Sequence, residues 1–433
     1  MFANPGRLDK SGAWWLFLIG CFSLTQVRIG AKIGISEAGC LFVAPFLFFR
    51  DYLLYKRDGV TLYFNLALLW LVGSLFSDYY NHSAFYQTIR GFSVPLLTFC
   101  SSVCIYHFLR RNPDNLKWLI TGIAVSSVLS IFVFQRGTAG DLAAEGDAMG
   151  AIEAVVSYKL FWANIIKTGL ILPIQTMYLN LPGVYVIPAM VCVMAVNAMS
   201  GGRSAFAMSV LALSLLCIGG KSVETMRRVR RFLPFLLVLV VGLIVSIKWA
   251  YSYAATHGYL NDLEETKYEQ QTSMGSDFKS LLLAGRSEFF VGLFAALDKP
   301  IVGHGSQPID FYGYTEDFLK KYGTDAENQR YVRLRLGGNF IRIRSHSHVI
   351  CYWMWHGLAG LVFWLYVGYL AVQTIRKRLD FVPGWYGFLV IALSDFLWDY
   401  FFSPYGMRVS ECALFCAMLV LVRIERLRKR VAV

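Results

Sequence analysis

The sequence contains no Cys-x-x-Cys pair. Its nine cysteines (Cys21, Cys40, Cys100, Cys104, Cys192, Cys217, Cys351, Cys412 and Cys416) all lie within or beside apolar runs. That excludes a disulfide framework or a zinc site and leaves cysteine as a small packing residue. No Asp-x-Asp motif occurs in the loops assigned below to the outer face, so neither a metal-dependent mechanism nor a cofactor is indicated. No internal repeat is evident, and no inverted-repeat signature of a secondary transporter. The first apolar run lacks a small-residue cleavage site and is followed by many more, so it reads as a span rather than a removed signal. Charge is also scarce, at 16% of residues.

Apolar residues make up 56% of the 433, and mean hydropathy is +0.49. Soluble chains hold roughly 45–50% apolar residues. Repeated runs of crossing length therefore predict an all-α polytopic membrane protein. Twelve spans are expected, at about 12–27, 33–49, 60–77, 92–109, 117–134, 161–179, 183–199, 204–220, 232–250, 347–373, 384–400 and 407–422. Span-forming parts at 1–250 and 347–433 flank one long polar segment, 251–346.

The net charge of +13 sits mainly in alternate short loops: Arg50/Lys56/Arg57, Arg110/Arg111/Lys117, Lys221–Arg231, Arg376–Arg378 and the C-terminal tail. This pattern is the positive-inside asymmetry of membrane proteins and removes the case for nucleic acid. It places both termini in the cytoplasm and the 135–159 loop, the Arg203 corner and the long segment outside. Long loops translocate regardless of charge.

Within the long segment, Tyr259–Gln271 reads as a surface helix. Residues 286–297 read as an apolar helix ended by Asp298-Lys299-Pro300. Gly303-His304-Gly305 is a turn. From Tyr331 to Arg344 the residues alternate around Gly337-Gly338-Asn339, which predicts a β-hairpin with Arg333, Arg335, Arg342 and Arg344 on one face. Four guanidinium forks suit an extended phosphate or pyrophosphate. A solvated amphipathic hairpin or a lipid-headgroup anchor is the other reading.

Several motifs resemble the O-antigen polymerase and O-antigen ligase superfamily. They are Gly285-Arg286 heading an apolar helix, the step Pro300-Ile301-Val302-Gly303-His304-Gly305, and His346 eleven residues before Gly357-Leu358-Ala359-Gly360-Leu361. The Gly202-Arg203-Ser204 corner resembles the family's arginine at an outer helix end. The resemblance implies a membrane glycosyltransferase of the C-type fold in the bacterial inner membrane. Such an enzyme moves a glycan from undecaprenyl pyrophosphate to an acceptor sugar hydroxyl on the periplasmic side. A polymerase lengthens the lipid-linked chain, alongside a possible chain-length regulator; a ligase delivers it to lipid A–core. Ser347 stands where asparagine is usual and Trp355 where many ligases have glutamate, which leans the reading towards polymerase.

Such a transfer needs a base for the acceptor hydroxyl and cations for the leaving pyrophosphate. His346 is the candidate base, since histidine titrates near neutral pH; His348, His304 and His356 compete with it. Arg286 and Arg203 are candidates for the pyrophosphate, with Arg136 a weaker one. Lys167, Asp395 and Asp399 lie within spans. The two aspartates share a helix face, where they pair structurally or meet sugar hydroxyls.

Overall fold

A computed structural model of the chain describes residues 10–23, 26–29, 31–132, 287–322, 341–379, 381–402 and 409–431, with short pieces between 191 and 257. The spans expected between 161 and 250 and the helix expected at 259–271 lie wholly or largely outside these residues.

The described architecture is helical. α1 (Lys10–Cys21) precedes a two-stranded antiparallel hairpin, β1 (Gln26–Ile29) and β2 (Ala31–Gly34). Then follow α2 (Ile35–Asp58), α3 (Thr61–Tyr80), α4 (Phe85–Arg111) and α5 (Leu116–Phe132). After the interval come α6 (Ser287–Asp298), α7 (Tyr314–Tyr322), α8 (His348–Gln373, continued by a π turn Thr374–Arg378), α9 (Tyr386–Phe402) and α10 (Val409–Val431). Four stretches, Ile35–Asp58, Thr61–Tyr80, Phe85–Arg111 and His348–Arg378, are long and apolar enough to cross a membrane. The chain is a helical membrane protein.

Several boundaries differ from those expected. The first span, expected at about 12–27, is a helix only to Cys21. At roughly 18 Å, a 12-residue helix is too short to cross alone. It packs on α5 with near contact of backbones: a Cβ on Gly20 would come within 2.4 Å of the Leu119 carbonyl, and one on Gly122 within 2.2 Å of the Phe17 carbonyl. Gln26–Gly34, expected to be span end and loop, pairs as strands with Arg28 in register with Lys32. Arg50, Lys56 and Arg57, expected in a loop, belong to α2, which runs on until Gly59 ends it at φ 80°. Buried acids of α2 hold this extension. Asp58 accepts from Tyr106 (3.1 Å) and pairs with Arg110 of α4 and Arg423 of α10. Asp51 pairs with His107 and Arg50. The polar stretch 78–90 is likewise divided, with Phe85 onward starting α4.

The largest departure is in α8, expected as one span at about 347–373. Gly357 has φ 61° and ψ −145°, and the chain reverses there. In a straight helix, His348 and Trp364 would stand about 24 Å apart along the axis. Their ring centroids are 5.1 Å apart. Tyr352 stacks on Trp364 at 5.9 Å, and a Cβ on Gly360 would lie 2.2 Å from the Tyr352 carbonyl. α8 is therefore two antiparallel arms: α8a, 348–356, and α8b, from 358 onward. Only α8b keeps crossing length.

Trp70 of α3 fills the angle between the arms, stacked on Phe363 (4.7 Å) and edge-on to Tyr352 (4.9 Å). This aromatic cluster is continuous with the main core of α2, α4, α9 and α10. A second, smaller core joins α6, α7, α8a and Ile343 through Val291, Ala295, Phe318 and Met354.

Candidate functional site

α6 and α8a lie side by side and run parallel. At their starts, Glu288 of α6 meets His346, two residues before α8a. At their ends, the Trp353 indole donates to the Pro300 carbonyl (3.0 Å) and the His304 amide donates to the Met354 carbonyl (2.8 Å). α6 stops at Asp298 as the following proline requires. Gly303 and Gly305 take positive φ, 79° and 80°, and make the expected turn.

The starting end is built by the chain before α8a. Ile343 donates to the Pro308 carbonyl (2.9 Å), and Asp310 donates to the Ile341 carbonyl (2.8 Å). Residues 341–343 thus pair with 308–310; the other half expected for an arginine hairpin, 331–340, lies outside the described residues. The alternation itself holds, with Ile343 buried and Arg342 and Arg344 exposed. Ser345 then passes so close to α6 that a Cβ on Gly292 would fall 2.6 Å from its Cβ. Ser347 caps α8a: its Oγ accepts from the Ile350 amide (3.3 Å) and donates to the Tyr400 carbonyl (2.9 Å).

His346 Nε2 lies 2.6 Å from Glu288 Oε2. Burial pushes the Glu288 carboxyl up, but the His346 contact and the charges of His346 and Arg344 outweigh it, leaving it below its ordinary value. The acid is a carboxylate at neutral pH. With Nε2 committed to it, Nδ1 is the nitrogen left to accept a proton. The His346 side chain is 48% exposed.

The competing histidines are enclosed, at 8% exposure for His304 and 1% for both His348 and His356. His304 donates Nε2–H to the Ala295 carbonyl (2.8 Å), and burial holds its pKa below the ordinary value. His348 lies 3.5 Å from Glu411 of α10. His356 joins a buried chain with one possible direction. The Trp70 indole can only donate, so it gives its N–H to His356 Nδ1 (2.9 Å). His356 Nε2–H then points to Ser306 Oγ (3.2 Å), whose hydroxyl donates to Asp78 (2.8 Å); the Ser306 amide donates to Asp78 as well (2.6 Å). Ser77 and Asn81 add bonds to the Trp355 and Gly303 carbonyls. The end of α3 thereby clamps the 303–306 turn to the reversal at Gly357.

Arg286, Arg203, Arg136, Arg333, Arg335 and Lys167 lie outside the described residues. Asp395 and Asp399 are half-buried on α9. Among the described residues, no group of three or more His, Cys, Asp or Glu is arranged to hold a metal ion. Sequence reasoning missed Glu288 and the Asp78–Ser306–His356–Trp70 chain. Glu288 had a signal, an acid two residues after Arg286 at a helix start. The buried chain joins positions up to 286 residues apart and had none.

Comparisons with protein-family models, with curated proteins and with solved structures find no match to this chain.

Proposed function

We propose that the chain is a metal-independent glycosyltransferase of a bacterial inner membrane. In this reading it crosses the membrane about twelve times, with both termini cytoplasmic and the 251–346 segment periplasmic. It moves a glycan from undecaprenyl pyrophosphate to an acceptor sugar hydroxyl and most simply polymerises repeat units. The observation that carries the reading is the His346–Glu288 pair: an exposed imidazole oriented by a carboxylate, where two parallel helices begin.

His346 Nδ1 takes the proton of the acceptor hydroxyl, and Glu288 stabilises the imidazolium that forms. The acceptor oxygen bonds to the anomeric carbon of the donor sugar as that carbon's bond to the pyrophosphate oxygen breaks. Undecaprenyl pyrophosphate leaves. Two helix N-termini point the positive ends of their dipoles at this place, and Arg342 and Arg344 approach it on the incoming chain. Arg286 and Arg203, with Arg136, Arg333 and Arg335, are proposed to complete the cationic surround; His348, enclosed against Trp364 and Glu411, takes no part in it.

The test uses cells that depend on this chain for a surface polysaccharide. Loss of long chains on deletion, with a single repeat unit still on lipid A–core, is the expected result. Long lipid-linked chains that never reach lipid A–core make the protein a ligase instead. Normal polysaccharide with both His346→Ala and Arg286→Ala ends the catalytic reading.

A further inference from the structure

The opposite end of α6 carries a second arrangement that transfer at His346 does not use. Tyr312 is 61% exposed and Phe311 70% exposed on the loop between the turn and α7. The Lys299 ammonium lies over the Tyr312 ring at 5.2 Å and also donates to Asn81 at the end of α3 (3.3 Å). His304 abuts Tyr312 and Tyr314 edge-on, at 6.0 and 5.6 Å. The Tyr314 hydroxyl donates to Asp298 Oδ2 (2.6 Å). Among the described residues, Asp298 Oδ1 takes no bond.

Lys299, Phe311 and Tyr312 are held without being buried. A half-buried cation over an exposed ring returns little for the rotamer freedom that a lysine gives up. Phe311 and Tyr312 have not been withdrawn into the nearby small core. The backbone beside them is strained: Gln307 and His82 both take positive φ, 49° and 51°. The turn is fixed there all the same, because Gln87 donates to the Gln307 carbonyl (3.1 Å) and Ser306 is tied to Asp78. Non-glycine residues persist in such conformations when the surroundings over-determine them, and they cluster at ligand sites.

An exposed flat ring, with an ammonium over it and a carboxylate held by the adjoining Tyr314, has the chemistry that recognises a pyranose. The ring covers the apolar C–H face of the sugar, while carboxylate and ammonium bond the hydroxyls at its edge. A plain interfacial aromatic belt calls for neither an oriented carboxylate nor a paired lysine.

We propose that Tyr312, with Asp298 and Lys299, forms a saccharide subsite that holds the glycan away from the reacting bond. The subsite rests on the glycan-transfer reading for the identity of the chain it holds. It lies about 13 Å from His346 along α8a, so it binds sugars other than the one being joined.

The test is calorimetric titration of the full-length protein in nanodiscs. The probe is repeat-unit oligosaccharide released by mild acid from the source cell's own surface polysaccharide. Tyr312→Ala and Asp298→Asn are each expected to weaken binding about tenfold or more, while Tyr312→Phe and His346→Ala bind as the parent does. Wild-type affinity in a Tyr312→Ala protein with an unchanged thermal midpoint overturns the subsite. So does a midpoint that drops in lipid but not in detergent with binding intact, because the ring is then a membrane anchor. Equal loss of binding in His346→Ala overturns it too, by placing the glycan at the transfer site. If His346→Ala retains full transfer while Tyr312→Ala loses binding, the catalytic reading falls and the subsite stands.

Discussion

Gly303 and Gly357 meet back to back, each at a positive φ where its own stretch of chain reverses. A Cβ on Gly303 would lie 2.6 Å from the Gly357 nitrogen, and one on Gly357 would lie 2.0 Å from the Ile301 carbonyl oxygen. Backbone atoms cannot give way as the end of a flexible side chain can. Gly357→Ala is therefore expected to lower stability by about 3 kcal/mol or more, from strain in a glycine-only region plus displaced backbone. Gly39→Ala is the control, since a Cβ there meets nothing within 4 Å. It is expected to be neutral or to stabilise by about 0.5–1 kcal/mol. Thermal midpoints in detergent check both.

His346→Ala is expected to lower the transfer rate by about 10²–10⁴-fold, the usual contribution of a positioned base. Glu288→Gln keeps the shape of the pair and removes its charge, so its loss is expected to be smaller than that of His346→Ala, about 10-fold or more. Transfer rates of parent and both variants, measured at one pH with matched protein levels, check this. A parental rate in Glu288→Gln means that Glu288 does not act on His346.

The direction of the Trp70–His356–Ser306–Asp78 chain makes a prediction about coupling. In Asp78→Asn, an amide N–H faces Ser306 Oγ, so the serine hydroxyl must turn to His356 Nε2. The imidazole proton then sits on Nδ1 and opposes the Trp70 N–H. Asp78→Asn and Trp70→Phe are each expected to destabilise by about 1–3 kcal/mol, from unpaired buried groups. Made together, they relieve the opposed donors, so the double variant is expected to be about 0.5–3 kcal/mol more stable than the sum predicts. Additive losses would show that the chain does not run in this direction.

Acid sensitivity follows from two groups. Burial holds the folded His304 below its ordinary value. For Glu288, burial works upward, but His346 and Arg344 leave the net pKa lowered. In both cases the unfolded chain binds protons first as pH falls, so stability rises with pH across each window. The His304 contribution is lost on acidification from about 6.5 down to its folded value, and the Glu288 contribution below about 4.5. Glu288→Gln should flatten the lower part of a stability–pH curve. An unchanged slope there would contradict the assignment.

What the sequence reveals here is mostly local. The end of α6 is legible in Asp298-Lys299-Pro300, the turn in Gly303-His304-Gly305, and the facing of Arg342 and Arg344 in the period-two alternation. The reversal at Gly357 is not legible. Both arms of α8 are apolar, glycine is ordinary in membrane helices, and the polar residue at the bend, His356, reads equally well as a buried residue within a continuous span. The partner of 341–343 was hidden for a related reason. Alternation shows that a segment is extended but does not show which backbone it pairs with, and Pro308–Asp310 carries no pattern of its own. Glu288 was overlooked because an acid in the first turn of a helix is fully accounted for by the helix dipole.

The fold-back of α8a also changes what a lipid meets at this wall. His346 lies about 13 Å below the tip of the reversal, and Arg342, Arg344 and Glu288 lie close to it in the chain or in contact with it. If the tip stands at the headgroups, these polar groups reach well into the acyl region and cannot stay dry there. Water must follow them down, or the adjoining leaflet must thin to meet them. A polyprenyl tail arriving from the side would then encounter a notch in the bilayer, with its phosphates already at the height of the histidine.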